Sequence, residues 1–311
     1  MKRRQCDIDL TAHGRQKARK QDPLVGIGRH FARTIDAFTL PGVVINYGLG
    51  WLDSHEPQSS FMKEENRMWD AFKALQKLAL TLMDDILDSN EEDSTSMLNT
   101  LAKHLKDGQS KARSDDTSGL KAAVVDWVHE IDNKAPRVAC NSKHGRGFNH
   151  PVYGHLLCPA VLDWDDTEVQ ASLLTGTAKV DGTFVNGTYW ANFIYEGKYD
   201  KELPWIGLLR GPLLVKGYKH VFTLPSSVDK DDGDSSATHS GNAQINGMTS
   251  VTPASIAYVA VQIYFALCAR QTFDTRSQAL DLIGLYNSIL DYFEDPEEAE
   301  EVEGLLAWWN R

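Results

Sequence analysis

The chain has 311 residues, is 42% hydrophobic and 24% charged, and carries a net charge of −11. That length and apolar content allow a large core and one or two domains. The acidic balance disfavours non-specific nucleic-acid binding, and no apolar run reaches the roughly 18–20 residues that span a bilayer.

Charge is uneven along the chain. Residues 1–20 hold seven Lys/Arg against two Asp, whereas residues 271–311 hold ten Asp/Glu against two Arg. Residues 1–22 lack apolar periodicity and read as a disordered basic arm. Arg3-Arg4 and Arg15 to Arg19 fit a bipartite nuclear-import pattern, or simply a solvated tail. No apolar stretch follows Met1 to Arg4, so the expectation is an intracellular protein, nuclear or cytoplasmic. Cys6, Cys140, Cys158 and Cys268 are far apart, with no CxxC pair, and are expected as free thiols.

Residues 23–110 read as an N-terminal helical region. A short helix is expected around Arg29 to Phe38. Lys63 to Leu87 carries Met68, Phe72, Leu75, Ala79, Leu82, Met83 and Ile86 at three- and four-residue steps, one helical face. A shorter helix from Ser96 to Lys106 is expected to stop at Gly108. Asp115 to Ser118 then offer N-caps for a helix striped by Leu120, Val124, Trp127, Val128 and Ile131.

Residues 111–311 read as the core domain. A Gly/His-rich loop covers 137–164. A short helix from Asp165 ends near Gly176, and 177–195 holds the best candidate hairpin. Gly211 to Phe222 is expected to be helical, with Pro212 in the first turn. Leu224 to Asn246 is expected to be a long polar loop. Thr252 caps a helix, apolar nearly all round, that begins at Pro253 and suits the centre of a core. Helices from Thr275 to Phe293 and Pro296 to Trp309 follow, the second capped by Asp295. One of Trp308 and Trp309 is expected in the core and the other in a contact surface. The fold class is mainly α, a single compact multi-helix domain with long loops and one candidate β-hairpin.

Several residue sets carry candidate chemistry. Asp84, Asp85 and Asp88 form a DDxxD-like stretch, able to hold Mg²⁺ for an enzyme acting on a phosphorylated substrate. No second acidic metal site accompanies it, and solvated carboxylates at a helix end are the plain alternative. His144, His150, His155 and Cys158 offer zinc-ligand chemistry, at a spacing that matches no standard zinc pattern. Ser226, Ser227 and Ser240 lie near His220 and His239 without a nucleophile elbow. Arg210, Lys216, Lys219 and His220, with Lys143, His144 and Arg146, are candidates for a basic nucleic-acid or anion patch. A solvated helix face is the simpler reading of them. No cofactor is predicted.

Further motifs carry a resemblance. They include Ala112-Arg113-Ser114-Asp115-Asp116-Thr117, Arg146-Gly147-Phe148-Asn149-His150, Leu156-Leu157-Cys158-Pro159 and Gly207-Leu208-Leu209-Arg210. Gly247 to Pro253 and Trp308-Trp309-Asn310 continue the series. In order and spacing, over about residues 100–311, the chain resembles the fungal, chiefly basidiomycete, family filed as domain of unknown function 6698. His155 and His239 stand where the family pattern leads one to expect Arg. The resemblance implies no assigned activity and supplies no catalytic residues. The leading expectation is a non-enzymatic interaction or binding domain with a protein partner and no membrane. The Mg²⁺ enzyme and a nucleic-acid-associated protein of mobile-element origin are the alternatives.

Overall fold

The computed structural model describes residues 22–54, 58, 61–80, 91–223, 228, 241–273 and 281–311. Helices dominate them. Asp22 opens α1 (Pro23–Thr34), its carboxylate accepting the Leu24 N–H at 2.8 Å, with Pro23 in the first turn. α2 (Pro41–Ser54) also begins on a proline. α3 (Lys63–Leu78) starts where Glu65 reaches back to the Met62 N–H at 2.7 Å. The short helix expected at Arg29 to Phe38 is therefore displaced toward the N-terminus by the Asp22-Pro23 start.

The expected stop at Gly108 does not occur. One helix, α4 (Glu91–Ile131), runs 41 residues without a break, about 60 Å at 1.5 Å per residue. Gly108 serves a helix crossing instead. A Cβ there would run into the Val25 carbonyl oxygen, and a Cβ at Gly28 would run into that of Leu105. The two glycines let α1 and α4 touch backbone to backbone, which offsets the helix cost of a glycine. Asp115 and Asp116 accordingly lie inside the helix rather than at a cap, and the expected division at residue 110 falls within α4.

His150 caps α5 (Pro151–Leu157), and Asp166 caps α6 (Thr167–Thr175), which ends on Gly176 at φ 72°. The expected hairpin is present but small. β1 (Lys179–Val180) pairs antiparallel with β2 (Thr183–Phe184). Asp181 and Gly182 join them at φ 49° and 82°, the positive pair that a two-residue type I′ turn needs. α7 (Pro212–Phe222) and the short α8 (Asn242–Ile245) follow. α9 (Pro253–Leu267) is capped by Thr252, whose hydroxyl accepts the Ser255 N–H at 3.1 Å. α10 (Leu282–Phe293) is capped by Asp281, so its start lies later than Thr275, and residues 274–280 lie outside the described residues. Asp295 leads through a 3-10 turn into α11 (Ala299–Trp309).

As its all-round apolar sequence implies, α9 is the central helix. It packs against α1, α4, α7 and α10, and residues such as Ile256, Val259, Ile263 and Ala266 are wholly buried. The main core surrounds it. A second cluster joins Phe31, Val44, Ile45, Phe72, Leu75, Leu101 and Leu105, so α4 contributes to both. Trp309 packs on Tyr218 and donates to the Leu209 carbonyl at 3.1 Å, while half-buried Trp308 lies under Arg210. Among the described residues no helix is long and apolar enough to cross a membrane.

Candidate anion-binding site

Arg146 organises the loop that follows α4. It is completely buried, and the hydrogen bonds of its guanidinium all go to carbonyl oxygens. Nη1 donates to Ala266 at 2.8 Å and Nη2 to Lys121 at 2.8 Å and Ala139 at 3.2 Å, while Nε donates to Ser142 at 3.1 Å. This ties the loop to the end of α9 and to α4 at once. Arg146 is therefore spent internally and is not the surface anion ligand that the sequence reading expected.

The same loop buries Lys143, which is 1% exposed. Its Nζ lies 3.1 Å from the Phe265 ring centroid and 3.5 Å from Cys268 Sγ. Among the described residues no carboxylate pairs with it. Burial pushes its pKa down from 10.5 to about 8, against the partial support of the nearby Cys268 sulfur.

Lys143 borders a cleft of about 360 Å³. One wall is a stripe of α4: Ser110, Arg113, Ser114, Thr117, Ser118 and Lys121. Steps of three and four residues put these on one helical face. Phe265, Gln271 and Phe273 form the other wall. Arg113 stands over the rings of Phe38 and Phe273 at 5.8 and 5.4 Å, and donates to the Ala37 carbonyl at 3.0 Å. Burial lowers its pKa. Among the described residues the lining holds three cationic side chains, four hydroxyls and no Asp or Glu. Such a wall offers N–H and O–H donors with uncompensated positive charge, the chemistry that receives a carboxylate or phosphate.

The other members of the expected basic patch scatter. Lys216 pairs with Glu130 on α4. Arg210 lies 5.4 Å above the Trp308 ring. His220 packs edge-on against Trp127 and close to Gly119, and burial lowers its pKa. Lys219 is half-buried on α7. Lys216, Arg210 and His220 are thus each engaged with a different neighbour.

The candidate zinc ligands do not form a metal site among the described residues either. His150 is buried, with both ring nitrogens engaged: Nδ1 accepts the Val152 N–H at 3.2 Å, and Nε2 lies 2.7 Å from the Pro136 carbonyl. It is a helix cap. His144 and His155 are exposed. The Cys158 thiol is buried, and desolvation pushes its pKa up to about 12, which disfavours the thiolate that zinc needs. Among the described residues no group of three or more His, Cys, Asp or Glu is placed to hold a metal ion. Asp84, Asp85 and Asp88, with Ser226, Ser227, His239 and Ser240, lie outside the described residues.

The sequence reading did not pick out Arg113, Lys121, Phe265 or Phe273. The available signal was the Ser/Arg/Thr/Lys stripe at helical spacing, alongside the apolar stripe of the same helix.

Fold and site together define a mainly α-helical protein with a cation-lined cleft beside its central helix. A family model matches residues 107–311, and the chain belongs to that family, described as a family of unknown function, DUF6698. Neither the curated proteins nor the solved structures include a match to this chain.

Proposed function

We propose that the chain is a non-enzymatic intracellular binding domain whose cleft takes an anionic group, carboxylate or phosphate, presented by a partner protein. One observation carries this reading: among the described residues Lys143 is buried with no counter-charge, in a cleft whose other charged groups are also cationic. A chain with a net charge of −11 has abundant carboxylates, yet among the described residues none lines this surface. A buried ammonium costs free energy unless paired, so a ligand that supplies the missing anion recovers part of that cost. The cleft volume fits a side chain or small molecule. A nuclear or cytoplasmic setting and a fungal source belong to the same reading, supported by the basic arm and by the family resemblance.

Inorganic phosphate is the direct probe. It should raise the unfolding temperature of the full chain at pH 6.5, and Lys143→Met and Arg113→Gln should each remove most of that shift. Binding should weaken above about pH 8 as Lys143 loses its proton. Equal stabilisation of both variants and the parent would sink the reading.

A further inference from the structure

Tyr264 and Phe265 are neighbours on α9, and their side chains diverge by about 100°. Phe265 faces the cation-lined cleft. Tyr264 faces a different and larger cavity, of about 850 Å³, on the other side of the helix. Its floor is apolar, with Leu157, Leu173 and Leu285, and its aromatic lining comprises Phe148, Phe184, Tyr189 and Tyr264. The hairpin supplies one side through Thr183 and Phe184. Gly187 fixes another, since a Cβ there would run into the Asp281 carbonyl oxygen and the Leu285 nitrogen at the start of α10.

Polarity is concentrated at one place. Among the described residues Asp281 is the single charged one that lines the cavity. Its carboxylate accepts the Gly284 N–H at 2.7 Å and the Gly187 N–H at 3.4 Å, and forms no ion pair among the described residues. Two backbone N–H bonds leave lone pairs unused on a carboxylate that can accept about four. The Tyr264 hydroxyl has no hydrogen-bond partner among the described residues, and burial raises its pKa, so it stays a neutral donor. The four lining rings make no ring–ring contacts with one another; Phe148 instead packs on Trp164, and Tyr264 on Phe193.

We propose that this cavity binds a small organic ammonium with an aromatic or apolar body, its cation at Asp281 and its body among Phe148, Phe184, Tyr189 and Tyr264. Aromatic faces attract a cation through their quadrupole, and the carboxylate supplies the counter-charge. The apolar floor takes the rest of the molecule. The site is independent of the anion cleft, from which α9 separates it, and its electrostatic preference is opposite.

Tryptamine is the probe, with indole-3-propionate as the same ring with the opposite charge. Calorimetric titration of the full chain should show tryptamine binding and much weaker indole-3-propionate binding. Asp281→Asn should weaken tryptamine about tenfold or more, a change of about 1.4 kcal/mol. Its amide oxygen can still accept the Gly284 N–H, so the cap survives and a loss of binding is not a loss of fold. Thr175→Trp, at the exposed rim, should also reduce binding, whereas Lys143→Met should leave it unchanged. Equal affinity for the two indoles, or an unaltered Asp281→Asn variant, overturns the proposal. So does absence of tryptamine binding at millimolar concentration.

Discussion

The change with the largest expected effect on stability is Asp116→Ala. Asp116 lies inside α4, 8% exposed, and faces Arg33 of α1, which is 4% exposed. The pair is bidentate: Arg33 Nε and Nη2 each donate to a carboxylate oxygen at 2.8 Å, and the Tyr258 hydroxyl of α9 donates to Oδ2 at 2.7 Å. Burial alone would lower the Arg33 pKa, yet it is raised, because the hydrogen bonds and charge of Asp116 outweigh the desolvation. Removing the carboxylate leaves a buried guanidinium and a buried hydroxyl without partners. Breaking one side of such a pair costs about 3–5 kcal/mol, which at this chain length lowers the unfolding temperature by roughly 5–8 °C. Urea unfolding of the parent, Asp116→Ala, Arg33→Met and the double variant measures it. The double variant should be less destabilised than the two singles added together, since it buries no orphaned charge. A single variant within about 1 kcal/mol of the parent, or strict additivity, would refute the claim that this triad locks α1, α4 and α9 together.

Other outcomes follow from the same geometry. Lys143 has a folded pKa of about 8 against 10.5 unfolded, so between those values the unfolded chain holds more protons, and stability should rise as pH rises from about 8 to 10. Unfolding free energies across that range should lose this slope in Lys143→Met; an unchanged slope argues against it. Gly108→Val places side-chain atoms in the Val25–Gly28 backbone of α1 and should destabilise by more than the roughly 1–3 kcal/mol typical of overpacking. A parent-like denaturation midpoint would contradict the backbone-contact account. Alkylation of the folded protein, followed by peptide mapping, should label exposed Cys140 well before Cys158 and Cys268, whose thiols are buried and raised in pKa. Equal labelling of the three would show that the core opens on the timescale of the reaction.

Local capping chemistry was legible in the sequence. Thr252-Pro253, Pro212, Gly176 and Asp295 act where their residue types indicate, because each is satisfied by its own few neighbours. The Asp181-Gly182 turn follows the same logic. Gly108 misleads for the opposite reason. Its role is set by a helix some eighty residues away, and no local pattern distinguishes a helix stop from a helix crossing. Arg146 misleads likewise: a basic residue in a Gly/His-rich loop resembles a surface ligand until the carbonyls of Lys121, Ala139 and Ala266 are brought around it. The cleft itself requires α4 and the residues after α9 to meet, and only the α4 face of it is periodic in sequence.

The matched family region begins at residue 107, yet its packing does not. Gln109 and Arg113 donate to the Ala37 carbonyl, and Thr252 Oγ1 donates to the Thr34 carbonyl at 2.9 Å. Phe38 packs against Phe273 and Tyr286, and Arg33 neutralises Asp116. Residues 33–39 thus complete the main core from outside the matched segment. A fragment of residues 107–311 would begin within α4, strip Phe273 and Tyr286 of their Phe38 cover, and leave the Asp116 carboxylate buried beside Tyr258 without its cation. We expect that fragment to lose near-ultraviolet circular dichroism and a cooperative urea transition, while residues 22–311 keep both. A 107–311 fragment that unfolds with the parent midpoint, and with a slope scaled to its length, would show that the residues before 107 decorate the fold rather than complete it.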